Sequence, residues 1–202
     1  MPLWLSPVPL LLASKSAVRR EILQAAGIAV EIVPADIDER AVERQAGADA
    51  PADAARLLAR EKARAVAAAH PGRIVLGADQ TLSLGNRRFS KPADRAGARA
   101  QLLELRACTH ELHSAAALVR DETVLAELDD VATLTMRNFS DAFLEAYLDA
   151  AGASVTQSVG GYQLEKTGIQ LFARIEGSHF TILGLPLFAL LQSLRDLKLV
   201  SA

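Results

Sequence analysis

Short apolar runs alternate with amphipathic stretches through the first half of this 202-residue chain, and paired β-type runs replace them in the second. That order constrains the fold most. Strands separated by helices build parallel pairs and hairpins build antiparallel ones. A chain that changes from one to the other predicts an α/β fold with a mixed, twisted sheet and flanking helices. Val8 to Ala13 is a short apolar run that reads as a buried first strand. Ser16 to Ala26 places Val18, Ile22, Leu23 and Ala26 on one helical face, with Gly27 where a C′ glycine belongs. Ile28 to Val33 reads as the second strand, followed by an acidic loop from Pro34 to Arg40. Residues 52–69 form an alanine-rich helix that Pro71-Gly72 stops, and Arg73 to Ala78 is a third strand. Thr81 to Leu84 and Arg87 to Ser90 flank Gly85-Asn86, a hairpin signal. A helix near 93–105 follows, then two longer strands near 109–119 and 123–136, joined at Asp121-Glu122. Ser140 is placed to cap a helix carrying Phe143, Leu144, Tyr147 and Leu148. Strands near 169–176 and 178–183 lead to a last helix with Pro186 in its first turn and Leu187, Leu190, Leu191 and Leu194 as its stripe.

No internal repeat, low-complexity tract or linker interrupts this pattern, so a single domain over residues 1–202 is expected. With 22 Lys and Arg against 24 Asp and Glu, the net charge is −2, which gives no bulk attraction for nucleic acid or an anionic membrane. A polyanionic ligand must therefore be met by a local cluster of cations. The N-terminal stretch MPLWLSPVPLLLA has no Lys or Arg before Lys15 and is broken by Pro7 and Pro9, so it reads as a tail entering a strand and not as a signal peptide. No stretch approaches the roughly 20 apolar residues of a membrane helix. The single cysteine, Cys108, excludes an intrachain disulfide and a cysteine metal cage. It reads as a buried spare thiol in a reducing, cytoplasmic setting.

Three groups of polar residues could carry chemistry. Lys15, Arg19 and Arg20 lie where the first strand meets the first helix, with Ser14 and Ser16 beside them. A helix N-terminus with added hydroxyl and guanidinium donors is suited to phosphate. A serine cap and a solvated basic face would look the same, and no GxxxxGKS pattern is present. Asp79 directly follows an apolar strand, where open α/β sheets place ligands, and Asp36, Asp38 and Glu39 crowd the loop after the second strand. Such carboxylates meet a phosphate only across a divalent cation, and each is otherwise an ordinary loop acid. Lys62, four residues after Leu58, leans toward the inward face of its helix, while Lys91 precedes Pro92 in an extended segment. Most exposed lysines do nothing.

Taken in order, these segments resemble the Maf family of nucleotide pyrophosphatases along nearly the whole chain. LASKSAVRREIL resembles the family's LASxSPRRxELL, Ile37-Asp38-Glu39 its acidic loop, and Glu61-Lys62-Ala63 its EKA helix motif. Gly77-Ala78-Asp79-Gln80 resembles GAD(T/Q), Lys91-Pro92 the KP motif, and Thr109-His110 falls where the family has a similar pair. The block from Ile175 and Gly177 to Gly184-Leu185-Pro186-Leu187 resembles IxGxxxxxxGLPL. Each motif is short, and their joint order and spacing make the resemblance specific.

The resemblance implies the mixed α/β fold of Maf and inosine-triphosphate pyrophosphatase-like proteins, two lobes around a cleft, and hydrolysis of a nucleoside triphosphate to monophosphate and pyrophosphate. It implies Asp79 as the base that activates water, with Lys62 and Lys91 as catalytic cations. It implies Ser14, Arg19 and Glu39 as substrate-binding residues, and a divalent cation, magnesium or manganese, at Glu39 and Asp79. A homodimer is expected as well. The departures are informative. Ala17 replaces the motif proline, Val18 replaces the first arginine, Gln80 stands where the commoner subgroup has threonine, and Glu165 ends a block whose family form, DKAGAYGIQ, ends in Gln. Val18, Gln80 and Glu165 together resemble a second subgroup, similar to enzymes acting on 7-methyl-GTP, so they are read as a specificity set. A carboxylate at 165 can accept from a guanine N1–H and amine and favours the cationic methylated ring. A dTTP/UTP pyrophosphatase and a nucleotide-binding regulator of septum formation that has lost catalysis are the alternatives.

Overall fold

The computed structural model describes residues 2–47 and 50–201. Its strands and helices are β1 (Leu10–Leu12), α1 (Ala17–Ala25), β2 (Val30–Ile32), α2 (Glu39–Ala46), α3 (Pro51–Ala69), β3 (Ile74–Leu84), β4 (Arg87–Phe89), α4 (Arg95–Leu105), β5 (Thr109–Arg120), β6 (Thr123–Met136), α5 (Asp141–Ala151), β7 (Phe172–Glu176), α6 (His179–Ile182) and α7 (Leu187–Asp196). The strands join in a mixed sheet of order β2-β1-β3-β5-β6-β7, with β4 on β3. β1 pairs in parallel with β2 and β3, whereas β3–β4 and β6–β7 are antiparallel. This is the mixed α/β fold that the sequence pattern predicts.

The chain divides into two compact units. The first comprises Met1–Gln80, His113–Asp130 and His179–Ala202. β1 is buried on both faces, which is why Leu10 to Ala13 is continuously apolar and does not alternate. Leu10 and Leu12 join Leu76, Leu118, Ile22 and Leu23 of α1 and Leu187, Leu190 and Leu194 of α7 in one layer of core. Leu11, Ala13, Val75, Ala117 and Val119 face the other way, onto Ala63, Val66 and Ala67 of α3. That second layer is thin, because a Cβ on Gly77 would lie 2.0 Å from the Ala59 carbonyl oxygen and 2.9 Å from Ala63 Cβ. Glycine at 77 and alanines at 59 and 63 let α3 press directly on β3.

The second unit comprises Thr81–Leu112 and Val131–Ser178. Here His110 packs against the rings of Tyr162 and Phe172, and its Nε2 lies 2.7 Å from the Tyr162 hydroxyl. The Tyr147 hydroxyl donates to the Gly161 carbonyl at 3.0 Å. Burial pushes the His110 pKa down to about 4, and both tyrosine hydroxyls are raised by the same cause.

Local signals explain most boundaries. Ser16 caps α1 through its Oγ and Gly27 follows with φ of 76°, while Pro51 opens α3 and Ser140 caps α5. Four expectations are corrected. The acidic loop closes at Asp38, whose side chain accepts from Ala41 N–H and starts α2, so Glu39 is a helical residue. The third strand does not end at Ala78, because β3 runs on to Leu84 and Asp79 sits in its middle. Where a strand is expected over 178–183, residues 179–182 form the short helix α6, and 167–171 form a 3₁₀ turn before β7. Cys108 is half-buried and unpaired. Among the described residues, no helix is long and apolar enough to cross a membrane.

Candidate active site

Asp79 and Lys62 meet through the close approach of α3 to β3. Lys62 Nζ donates to Asp79 Oδ1 at 2.6 Å, and both side chains are nearly buried, 13% and 12% exposed. The inward lean of Lys62 expected from its spacing to Leu58 is what the helix shows. Lys62 Nζ also lies 2.7 Å from Glu39 Oε1, at the first turn of α2, and the Glu39 side chain is half exposed. One ammonium therefore bridges two carboxylates, one buried and one open to water.

The electrostatics of Asp79 follow from this setting. Burial raises its pKa above the ordinary aspartate range, while Lys62 and Arg19 oppose that rise. Desolvation is the larger effect.

Arg19 turns inward from α1, unlike the exposed Lys15 and Arg20. Its Nη1 donates to the Ser14 Oγ at 3.2 Å and to the Ala78 carbonyl at 2.8 Å, and its Nε donates to the Gly184 carbonyl at 2.8 Å. Ser14 Oγ also accepts from the Ser16 N–H, at 3.2 Å. Ser14, Arg19, Glu39, Lys62 and Asp79 thus lie in the first unit, linked by ion pairs and hydrogen bonds or, for Arg19 and Asp79, by attraction.

The other candidates divide. Val18 packs at the edge of the apolar core of the first unit. Gln80, next to Asp79, has its amide nitrogen 2.9 Å from Ser114 Oγ, 2.9 Å from the Thr181 carbonyl and 3.0 Å from the Ile182 carbonyl. Lys91 and Glu165 belong to the second unit and are exposed. Gly77, Ser114, Thr181 and Gly184 were not singled out as site residues by sequence reasoning. Gly77 and Gly184 stand inside the GADQ and GLPL motifs, and the Ala59/Ala63 pair at helical spacing opposite a strand glycine is the signal for the first of them. Ser114 and Thr181 carry no sequence signal.

The family model described as Maf-like protein matches residues 9–197. A nucleoside triphosphate pyrophosphatase from Rhodopseudomonas palustris is 56% identical over 202 residues, covering all of both chains. Proteins of the same name from Bradyrhizobium diazoefficiens and Paramagnetospirillum magneticum are 54% and 53% identical, the first covering all of both chains and the second 92% of this chain and 97% of its own. Among solved structures, a HAM1 protein from Coxiella burnetii is similar over 65% of this chain and 74% of its own, with a TM-score of 0.45 and 18% identity.

Proposed function

The chain belongs to the Maf-like protein family, and from that membership we propose that it hydrolyses a nucleoside triphosphate between the α- and β-phosphates, releasing a monophosphate and pyrophosphate. The observation that carries this reading is the nearly buried Asp79 held at 2.6 Å by Lys62, with Arg19 close enough to oppose its pKa rise. The name carried by relatives such as the 56%-identical protein supports it.

In this reading the Asp79 carboxylate accepts a proton from water, whose oxygen bonds to the α-phosphorus as the bond to the bridging oxygen breaks. The departing oxygen leaves with pyrophosphate. Burial favours the neutral form of Asp79, so it takes the proton more readily than an exposed aspartate would, while Lys62 and Arg19 oppose that rise. Ser14 and Arg19 donate hydrogen bonds to phosphate oxygens, and Lys62 and Lys91 offset charge on the leaving group.

The donor set fits a divalent cation. Asp79 and Glu39 bring carboxylate oxygens to within 2.6 and 2.7 Å of one point, Lys62 Nζ. Two hard oxygen donors suit magnesium or manganese when water and phosphate complete the shell. Bound to these carboxylates beside the Lys62 ammonium and not in its place, the cation would neutralise phosphate charge and polarise the reacting phosphorus.

For the base, Glu165 supports 7-methyl-GTP over dTTP or UTP, because its exposed carboxylate matches guanine donors and a cationic ring. Pyrophosphate release measured across UTP, dTTP, GTP and 7-methyl-GTP with magnesium or manganese, with chromatography of the products, tests both levels. Monophosphate with pyrophosphate, fastest from 7-methyl-GTP, is expected. Diphosphate with phosphate would overturn the reaction, and a preference for UTP would overturn the base alone.

A further inference from the structure

Gln80 has a role that contact with a base would not explain. Its amide nitrogen faces two backbone carbonyls, of Thr181 and Ile182, and the Ser114 hydroxyl, so the orientation of the amide is fixed and its two N–H groups are shared among three acceptors. The Thr181 carbonyl is the centre of this network. It accepts from Gln80, from Ser114 Oγ at 2.7 Å and from the Gly184 N–H at 3.0 Å. Thr181 and Ser114 are fully buried, and the Thr181 hydroxyl donates to Asp130.

Gly184 then closes the circuit. Its φ is +96°, and a Cβ there would stand 3.2 Å from both Nε and Nη2 of Arg19, so the guanidinium rests directly on the glycine backbone. Its carbonyl takes the Arg19 Nε–H, while Arg19 Nη1 returns to the Ala78 carbonyl, two residues before Gln80 in β3. The path Gln80–Thr181–Gly184–Arg19–Ala78 therefore begins and ends on the same strand, beside Asp79. All of it lies within the first unit.

We propose that Gln80 and Ser114 are positioning residues: they pin the 181–184 turn so that the Gly184 carbonyl holds the Arg19 guanidinium at the phosphate-binding end of α1. The inference rests on the proposed function for what Arg19 binds, but not for the network itself. Gln80→Met keeps the length of the side chain and removes both donors. Ser114→Ala is the milder second variant should the first fold poorly.

Two measurements decide it. In ¹⁵N NMR, the Arg19 Nε–H, assigned by its disappearance in Arg19→Lys, is expected to exchange slowly with solvent in the wild type. It should exchange at least about tenfold faster in Gln80→Met or Ser114→Ala, the scale of one lost hydrogen bond. Unchanged protection in both variants overturns the proposal, whatever the enzyme hydrolyses. In a double-mutant cycle, Gln80→Met should lower kcat/KM for the best substrate by about tenfold in the wild type and by less than about twofold in Arg19→Lys. Equal losses in both backgrounds would mean that Gln80 acts independently of Arg19, and this too overturns it. If the wild type releases no pyrophosphate, the proposed function fails and the exchange measurement still decides the network.

Discussion

The candidate residues of the two units differ in how far the protein has already organised them. In the first, Asp79, Lys62, Glu39, Arg19 and Ser14 are held by one another and by backbone carbonyls at 2.6–3.2 Å. In the second, Lys91 and Glu165 are exposed, and their side chains form no ion pair with a described residue. A buried charge is tolerated only because partners surround it, and once surrounded it needs no reorganisation during reaction. An exposed side chain costs the fold nothing and acts only when a ligand orders it. Substitutions in the first unit should therefore change rate and stability together, while those at Lys91 and Glu165 should leave stability unchanged, Lys91 acting on rate through the leaving group and Glu165 on ligand preference.

The largest effect is expected at Asp79. Asp79→Asn keeps the shape and removes the base, so kcat should fall by about 10²–10⁴ with nucleotide binding largely retained, as single-turnover kinetics and direct binding would show. Near-normal kcat would remove Asp79 from the reaction.

His110 is next and concerns stability. Its folded pKa of about 4 lies below the ordinary 6.5, so the stability it contributes is complete above pH 6.5 and is lost as pH falls toward 4. Protons bind the unfolded state first. The groups packed on it are Tyr162 and Phe172, neither of which is charged in this range. Urea unfolding should show a decline of roughly 3 kcal/mol from this group between those pH values. His110→Phe should flatten that part of the profile, and an unchanged profile would contradict the assignment.

Glu165→Gln sharpens the contrast from the other side. It should lower kcat/KM for 7-methyl-GTP about 10- to 150-fold more than for UTP, with unfolding free energy within about 0.5 kcal/mol of wild type. Equal losses for both nucleotides would give Glu165 a different task. Gly77→Ala should be the smallest. The added methyl meets the Ala59 carbonyl, so α3 must shift at a cost of about 1–3 kcal/mol in thermal or urea unfolding. Because that shift moves Lys62 away from Asp79, kcat should fall with stability, and a stable, fully active variant would break the link between close packing and the ion pair.

Much of the fold was legible because its signals are local. The caps at Ser16 and Ser140, the proline opening α7 and the long β5–β6 pair stand where sequence places them. What failed depends on distant partners. Asp79-Gln80 reads as the polar end of a strand, yet Lys62 and the 181–182 carbonyls satisfy both side chains and β3 continues through them. Residues 178–183 look β-like by composition and close into α6, where the Thr181 carbonyl collects donors from three places. The cations and carboxylates of the site stand in recognisable motifs, but the Lys62 bridge between Asp79 and Glu39 is a tertiary contact between α3, β3 and α2 that no local pattern encodes.

The central claim is that water attacks the α-phosphorus with Asp79 as its base. Hydrolysis in ¹⁸O-labelled water, followed by mass spectrometry of both products, tests it directly. One ¹⁸O should appear in the nucleoside monophosphate and none in pyrophosphate, and Asp79→Asn should suppress this labelled product by about 10²–10⁴ in rate. Label in pyrophosphate, or an Asp79→Asn enzyme that labels the monophosphate at the wild-type rate, would contradict the account.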